Sequence, residues 1–276
     1  MHKFKKIDIP VKASFIDKFA QKYLEQRSQC QDDLSAIGEQ TLFNNLGFST
    51  DTLKKIIEKS AVAIDKKRED GLEPKILNDI YRSDLGELLM TYYFEEKLPE
   101  GERFIIPLKN ITFREREDLP GRGLDAIGYK QNSIERVEIL LGEAKVSEDK
   151  KSPPPVVDSN KDSIFNTQLK HKNDTPIVIR RLSDYARRLN VKDAAILGFA
   201  IVCLDQGLSD KIEITYGCTL IRDYTCVNES LDYGKMKTNE EKFDPDKINF
   251  SILSFSDKSI KETVELFYKK VQELIS

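Results

Sequence analysis

The sequence predicts an α/β fold in which a mixed central sheet is flanked by helices and preceded by a mainly helical N-terminal region. Two observations predict it. Apolar residues recur at helical spacing before residue 100, between residues 158 and 190 and at the C-terminus, whereas short alternating or continuously apolar runs lie between these segments. Hydrophobic residues make up 39% of the 276 residues and charged residues 33%, which is typical of a globular protein. We therefore divide the chain into an N-terminal region at residues 1–72 and a core at residues 73–276.

The first hundred residues are predicted to contain one strand and several helices. Residues 3–11 alternate weakly and are predicted as a strand, and Phe15 and Phe19 lie on one face of an amphipathic helix that follows. Residues 49–51, Ser-Thr-Asp, are typical of a helix start. Another helix is predicted to begin near Pro74, because proline fits the first helical turn. Its apolar stripe consists of Leu77, Ile80, Tyr81, Leu85, Leu88, Leu89 and Tyr92.

The strand predicted at residues 136–146 carries the most informative pattern in the chain. Alternation places five residues on one of its faces: Val137, Ile139, Leu141, Glu143 and Lys145. Three apolar side chains therefore lead into a carboxylate and an amine on the same face. Charges in such a position are costly unless they are paired, bound to a metal or open to a cleft.

Asp125 precedes this strand and follows a Gly-x-Gly turn, so a hairpin would bring it to the same end of the sheet. An Asp followed by Glu-x-Lys is the residue order of the PD-(D/E)xK nucleases. Phosphodiester hydrolysis needs a hard divalent cation held by few carboxylates, and a lysine beside it can orient the attacking water or offset charge. Asp125, Glu143 and Lys145 are therefore candidate catalytic residues. The alternative is an edge strand on which Glu143 and Lys145 form a solvated ion pair.

Glu87 is the candidate for another carboxylate at the same site. Helical geometry places it roughly 20° from Ile80, on the flank of the apolar stripe. In PD-(D/E)xK folds a helix glutamate that precedes the sheet often supplies another metal ligand. Asp84 lies inside the stripe and is a rival, and the alternative for Glu87 is a surface position beside Lys75 or Lys97.

The segment after the central strand is predicted to be helical and basic. A proline run at residues 152–155 is predicted to bar helix until about residue 158. Residues 158–190 follow with a helical pattern that breaks at Thr175-Pro176. Arg and Lys side chains here can position a nucleic-acid backbone through phosphate contacts, although each is equally well interpreted as an ordinary surface cation. The candidate contacts are Gln168, Lys170, Lys172, Arg180 and Arg181, with His171 as a polar neighbour.

The last third of the chain is predicted to return to the sheet. Residues 194–204 are continuously apolar, which predicts a strand buried on both faces. Further strands are predicted at residues 212–216, 219–227 and 250–255. An amphipathic helix carrying Phe267 closes the chain. The order helix, three strands, helix, strand matches the shared core of the restriction-endonuclease-like fold.

Other functional classes are excluded by what the sequence lacks. There is no G-x-x-x-x-G-K-[ST] motif, so the chain cannot be its own DNA motor. Two histidines exclude HNH chemistry, and four cysteines without C-x-x-C spacing are typical of reduced thiols. The net charge of −3 provides no global attraction to nucleic acid. No stretch has the length or apolarity of a membrane span or a signal peptide, so we expect a cytoplasmic protein without membrane contact.

Three blocks of sequence carry a family resemblance. They are Leu85-Gly86-Glu87-Leu88-Leu89, residues 120–128, and residues 142–147 together with Ser152-Pro153-Pro154. In combination they resemble the HamA family, the nuclease subunit of the bacterial Hachiman anti-phage system. The resemblance implies a PD-(D/E)xK DNase that works beside HamB, a superfamily 2 helicase, and is released to degrade DNA when infection is sensed. It also implies Glu87, Asp125 and Glu143 as metal ligands and Lys145 as the catalytic lysine. The N-terminal helices match nothing specific, and their role in holding the helicase is an expectation.

Three interpretations of function stay open. The first is a DNase that uses Mg²⁺ or Mn²⁺, the second a non-catalytic adaptor that regulates a helicase partner, and the third an RNase or processing nuclease on the same fold. The intact Asp, Glu and Lys set argues against the adaptor, because a vestigial site has no reason to keep three charges at costly positions. Nothing in the sequence separates DNA from RNA.

Overall fold

The centre of the protein is a mixed β-sheet, seen in a computed structural model that describes residues 1–27, 56, 75–113, 124–133 and 135–275. The strands are β1 (Lys3–Ile9), β2 (Ile105–Lys109), β3 (Ala126–Ser133), β4 (Arg136–Ser147), β5 (Ile212–Arg222) and β6 (Lys247–Phe255). Their order across the sheet is β1-β6-β5-β4-β3-β2. Strands β1, β6, β5 and β4 run parallel, and β3 and β2 are antiparallel to their neighbours.

Helices cover both faces of this sheet, which confirms the predicted α/β class. They are α1 (Ala13–Arg27), α2 (Lys75–Tyr92, continued by a π-helical turn at Tyr93–Lys97), α3 (Pro155–Asp158), α4 (Ile164–Asn173), α5 (Thr175–Ala186), α6 (Val191–Asp205), α7 (Lys235–Thr238) and α8 (Ile260–Ile275), with 3-10 turns at Glu100–Glu102, Asn110–Phe113 and Glu240–Phe243. One apolar core joins the sheet to α1, α2 and α8. The other joins it to α4, α5 and α6.

Strand β4 has the two faces that its alternation predicts. Val137, Ile139 and Leu141 are buried in the core shared with α4, α5 and α6, whereas Leu140 is buried in the core shared with α2. Both edges of β4 are paired, to β3 on one side and to β5 on the other. The strand is therefore central, and the interpretation of Glu143 as an edge-strand residue is wrong.

The prediction of a strand at residues 194–204 is wrong, because this segment belongs to helix α6. Its start is fixed by Asn190, whose side-chain oxygen accepts a hydrogen bond from Asp193 N at 3.0 Å. Leu197, Ala200 and Cys203 recur at helical spacing on its buried side. A continuously apolar run carries no period of its own, so its length and cap are better guides than its hydrophobicity.

The two strands predicted at residues 212–216 and 219–227 are a single strand, β5. It runs through Gly217 without interruption, where a Cβ atom would lie 2.6 Å from Leu140 Cδ1 and 2.9 Å from Phe94 Cζ. The glycine is therefore explained by close packing and not by a turn. The strand ends at Arg222, because the next side chain, Asp223, accepts hydrogen bonds from the backbone amides of Thr225 and Ile260.

Two further predictions concern the proline run and the N-terminal region. Pro155 already occupies the first turn of α3, so the predicted bar to helix until about residue 158 is wrong, since proline is compatible with that position. The described part of the N-terminal region, β1 and α1, pairs with β6 and packs against α8. The predicted boundary after residue 72, the Ser-Thr-Asp helix start and the Gly-x-Gly turn lie outside the described residues. Within the described ranges, no helix is both long and apolar enough to cross a membrane.

Candidate active site

The structure brings Asp125, Glu143 and Lys145 together at one end of β4. Asp125 lies one residue before β3, and its Oδ2 accepts a hydrogen bond from Ala144 N at 2.7 Å. Lys145 Nζ lies 3.1 Å from Glu143 Oε1. The antiparallel register of β3 and β4, which pairs Ala126 with Gly142, places the aspartate beside the glutamate. Three residues that span positions 125 to 145 of the chain thus form one cluster because of one hairpin.

The pKa shifts in this cluster show that the charged forms of both carboxylates, Asp125 and Glu143, are disfavoured. Burial raises the pKa of Asp125 above its usual range. Burial and the nearby Asp125 carboxylate raise the pKa of Glu143, although Lys145 opposes the shift. Burial disfavours the charged form of Lys145, but the surrounding carboxylates outweigh it and raise the pKa of the lysine. A cation placed between Asp125 and Glu143 would stabilise both charged carboxylates.

Asp162 is a member of the cluster that the sequence analysis missed. It lies in the loop before α4, and its Oδ1 is 3.2 Å from Lys145 Nζ. Its side chain is 81% exposed, so its contribution to stability is small. Its effect is to give Lys145 a second carboxylate partner beside Glu143. No periodicity identifies such a residue, because a loop brings it to the lysine.

Glu87 is buried on α2, and Gly86 explains how the helix comes so near to β4. A Cβ atom on Gly86 would lie 2.9 Å from Val146 Cγ2, so only glycine permits this approach. Glu87 and Asp125 act on a common neighbour, Tyr185, whose pKa is raised by burial and then by these two carboxylates. Tyr185, also missed from sequence, donates a hydrogen bond to the backbone oxygen of Leu124 at 2.9 Å.

Asp84, the rival of Glu87, has a different environment. Its carboxylate accepts hydrogen bonds from the hydroxyl groups of Tyr23 at 3.2 Å and Tyr268 at 2.9 Å. These bonds tie α2 to α1 and α8, in the helical layer behind the sheet. The contacts favour a structural role for Asp84 and leave Glu87 as the candidate on this helix.

The carboxylates of the cluster can hold a magnesium ion only if the ion needs few protein ligands. Among the described residues, no group of three or more His, Cys, Asp or Glu side chains is close enough together to hold a metal ion. Magnesium, however, is usually bound by one or two carboxylates, with water completing its shell. Asp125 and Glu143 are two such carboxylates, and the charge of Asp125 disfavours the charged form of Glu143. These two residues therefore fit the ion, whereas Glu87 as a further ligand stays a prediction.

The predicted nucleic-acid contacts lie in different environments. Gln168 is fully buried, and its Nε2 donates to the backbone oxygens of Leu141 at 3.0 Å and Gly217 at 3.2 Å. It thereby ties α4 to β4 and β5, which favours a positioning role beneath the cluster. Lys172 is paired with Asp246 at 2.7 Å. The other three residues are Lys170 and Arg180, both exposed, and Arg181, which is partly exposed. Their contact with nucleic acid stays a prediction.

His171 gives a testable pH dependence. It is 8% exposed, and burial, with help from Arg181 and Lys170, lowers the pKa of its side chain to about 4. An unfolded histidine has a pKa near 6.5, so between roughly pH 6.5 and 4 the unfolded chain binds a proton that the folded chain does not. We therefore expect the free energy of unfolding to decrease by on the order of 1–3 kcal/mol as the pH falls from about 6.5 to 4.

The matched variant is His171→Leu, which has no proton to bind and should lose this part of the pH dependence. Thermal unfolding at a series of pH values, followed by circular dichroism, measures the slope for both proteins. Equal slopes for wild type and variant would contradict the assignment.

Arg222, at the end of β5, holds the loop that follows Lys145. Its guanidinium is fully buried and pairs through Nε with Asp232 Oδ2 at 3.1 Å. Its Nη2 donates to the backbone oxygen of Lys151 at 2.7 Å, and its Nη1 donates to the backbone oxygen of Asp149. One arginine thus fixes several carbonyl groups of a loop that would otherwise leave the sheet without support. The sequence gives no signal for this role, because an arginine at a strand end is usually solvated.

Comparison with known proteins identifies a family for the chain. A family model described as HamA matches residues 23–271 of the 276. No curated protein and no solved structure gives a significant match. The matched range includes Glu87, Asp125, Glu143 and Lys145, and it covers the described sheet except β1 and the described helices except most of α1.

Proposed function

The chain belongs to the HamA family, which is associated with Hachiman anti-phage defence, and from this premise we propose that it is a metal-dependent DNA nuclease. The observation that carries the proposal is the cluster of Asp125, Glu143 and Lys145 at the end of a central strand. A buried glutamate and a partly buried aspartate, with a lysine 3.1 Å from the glutamate, are the groups that phosphodiester hydrolysis needs. The fold supports the proposal, because its sheet order and flanking helices agree with a restriction-endonuclease-like core.

Each residue has a distinct role in the proposal. Asp125 and Glu143 would hold Mg²⁺ or Mn²⁺, and Glu87 stays a predicted further ligand. A bound ion of this kind polarises the phosphate and lowers the pKa of the attacking water. Lys145 is held by Glu143 and Asp162, and it orients that water or offsets the charge that develops on the phosphate.

The ion dependence is a direct test. We expect cleavage of plasmid DNA with Mg²⁺ or Mn²⁺ and poor cleavage with Ca²⁺, because calcium coordinates loosely and positions water badly. Mg²⁺ should also raise the melting temperature of the wild type, and this shift should be smaller for Asp125→Asn, since one of two ligands is lost. Cleavage that survives EDTA would contradict the proposal. Parallel digestion of RNA decides between a DNase and an RNase on the same fold.

Control by a partner is the second part of the proposal. The net charge of −3 predicts weak autonomous binding to DNA, because non-specific affinity comes mainly from phosphate neutralisation and counterion release. A superfamily 2 helicase subunit of the HamB kind would supply DNA engagement, and it would hold the nuclease inactive until then.

Expression with and without the helicase subunit tests this control. We expect the chain alone to cleave slowly, and the complex to cleave only when the helicase engages DNA. Rapid digestion that the helicase neither suppresses nor triggers would leave a plain nuclease. A chain that binds the helicase and never cleaves, with any of the three ions, would support the adaptor interpretation instead.

A further inference from the structure

A cavity of about 220 Å³ lies between helices α4, α5 and α6 and the first half of β5. Its lining residues on β5 are Ile212, Ile214 and Tyr216. The candidate active site lies farther along the same strand, where Glu143 pairs with Cys218. The cavity is therefore a separate site. It has room for roughly seven water molecules at about 30 Å³ each, or for one small organic molecule.

The inner walls of the cavity are aliphatic. Val178 on α5, Leu204 on α6, and Ile212 and Ile214 on β5 form these walls, and all except Leu204 are buried. Such walls favour a ligand with apolar surfaces, because contact removes those surfaces from water. They disfavour a sugar, whose hydroxyl groups on every side would lose their hydrogen bonds to water.

The charged groups that line the cavity neutralise each other. Lys172 Nζ lies 2.7 Å from Asp246 Oδ2, and the Tyr216 hydroxyl donates a hydrogen bond to the same oxygen at 3.4 Å. A charged ligand would have to leave water without finding an unpaired opposite charge in the cavity, which is costly. The lining therefore favours an uncharged ligand.

His171, which also lines the cavity, has unused hydrogen-bonding capacity. The residue is 8% exposed, and its Nδ1 is buried without a hydrogen-bond partner among the described residues. Buried polar atoms normally have a partner in the protein, in ordered water or in a ligand. Burial, followed by Arg181 and Lys170, lowers the pKa of this side chain. The imidazole is therefore uncharged at neutral pH and offers one donor and one acceptor.

We propose that this cavity binds a free, uncharged heterocycle of nucleobase size. The flat faces of such a ring are apolar and suit the aliphatic walls. Its edge carries both donors and acceptors, which suit His171, Lys172 and Asp246. The proposal is independent of the nuclease assignment, because the cavity uses none of the residues Asp125, Glu143 and Lys145.

Binding of free bases to the full-length chain tests the ligand class. Isothermal titration calorimetry and saturation-transfer NMR with adenine and uracil should give a Kd of about 10 μM–1 mM, the range open to so small a ligand. Orotate, which is uracil with a carboxylate, should bind about tenfold or more weakly than the tighter base. Benzene lacks the polar edge and should bind similarly weakly. Absence of binding by both bases, or equal binding of orotate or benzene, overturns the proposal.

Substitutions of lining residues test the location. Val178→Phe places a larger side chain in the cavity and should weaken base binding about tenfold or more. The matched control is Val202→Phe on α6, because Val202 is 55% exposed and lies outside the lining. Ser209→Trp changes an exposed lining residue and serves if Val178→Phe does not fold. Unchanged affinity in the lining variants that fold would place the ligand elsewhere and overturn the proposal.

Asp246→Asn tests the preference for an uncharged ring. It leaves Lys172 without the carboxylate with which it pairs, so the cavity gains an unpaired positive charge. Orotate should then gain about tenfold or more in affinity relative to uracil. Asp205→Asn, at an exposed position outside the lining, should leave this ratio unchanged. A ratio that stays the same in Asp246→Asn, or that shifts equally in both variants, overturns the assignment of the ligand class.

Discussion

Glu143→Gln is expected to abolish metal-dependent cleavage while the fold stays intact. The amide keeps the shape of the side chain but removes one of the two carboxylates that are proposed to hold a hard divalent ion. It also removes the anion that holds Lys145 at 3.1 Å. Lys145→Met should in turn lower the rate by on the order of 10²–10³-fold, the cost of removing one group that stabilises developing charge. Plasmid digestion by the chain together with the proposed helicase subunit measures both effects.

The control and the stability measurement separate catalysis from structure. Glu135→Gln, at the far end of β4 with a side chain 75% exposed, should keep full activity. Glu143→Gln should keep or raise the melting temperature, because burial and Asp125 already disfavour the charged carboxylate. If the variant instead melts several degrees lower and loses its partner, Glu143 and Lys145 are a structural ion pair.

Arg222→Met is expected to give the largest loss of stability of any single substitution considered. The side chain is fully buried, and its removal leaves Asp232, also fully buried, without its cation. Such losses cost about 3–5 kcal/mol. The loop carbonyls of Asp149 and Lys151 lose their donor as well. Urea unfolding followed by circular dichroism measures the free energy of unfolding.

Two further variants show whether the buried charge is the cause. Arg222→Met combined with Asp232→Leu should recover part of the loss, because no uncompensated carboxylate then remains. Arg136 is half exposed and lies 3.7 Å from Glu213, which Lys247 also pairs at 2.8 Å, so Arg136→Met should change stability by less than about 1 kcal/mol. A loss at Arg136 as large as that at Arg222 would sink the explanation.

The residues of the candidate site that sequence could identify are those fixed by local geometry. Glu143 and Lys145 share a face because strand residues alternate, and Asp125 joins them through a single hairpin. Asp162, Tyr185 and Arg222 depend on how a loop, a helix and a distant strand meet the cluster. A periodic pattern contains no information about such tertiary contacts, so these three residues are identified only from the structure.

The fold shows the same division between local and non-local information. Helices α2 and α8 have clear apolar stripes, and both were predictable. Helix α6 was predicted as a strand because a continuous apolar run has no period, although Asn190 was a usable capping signal. Strand β5 is predicted as two strands because a glycine such as Gly217 often interrupts a strand. In the structure the glycine is needed because Leu140 and Phe94 leave no room for a Cβ atom.

The pairing of β1 with β6 has a consequence for the order in which the protein can form during synthesis. Residues 3–9 find their sheet partners at residues 249–255, so the first strand leaves the ribosome long before the strand that receives it exists. Contacts of such long range form late and slowly. Residues 249–255 must therefore be synthesised before this edge of the sheet closes, and until then the first strand is unpaired and prone to aggregation.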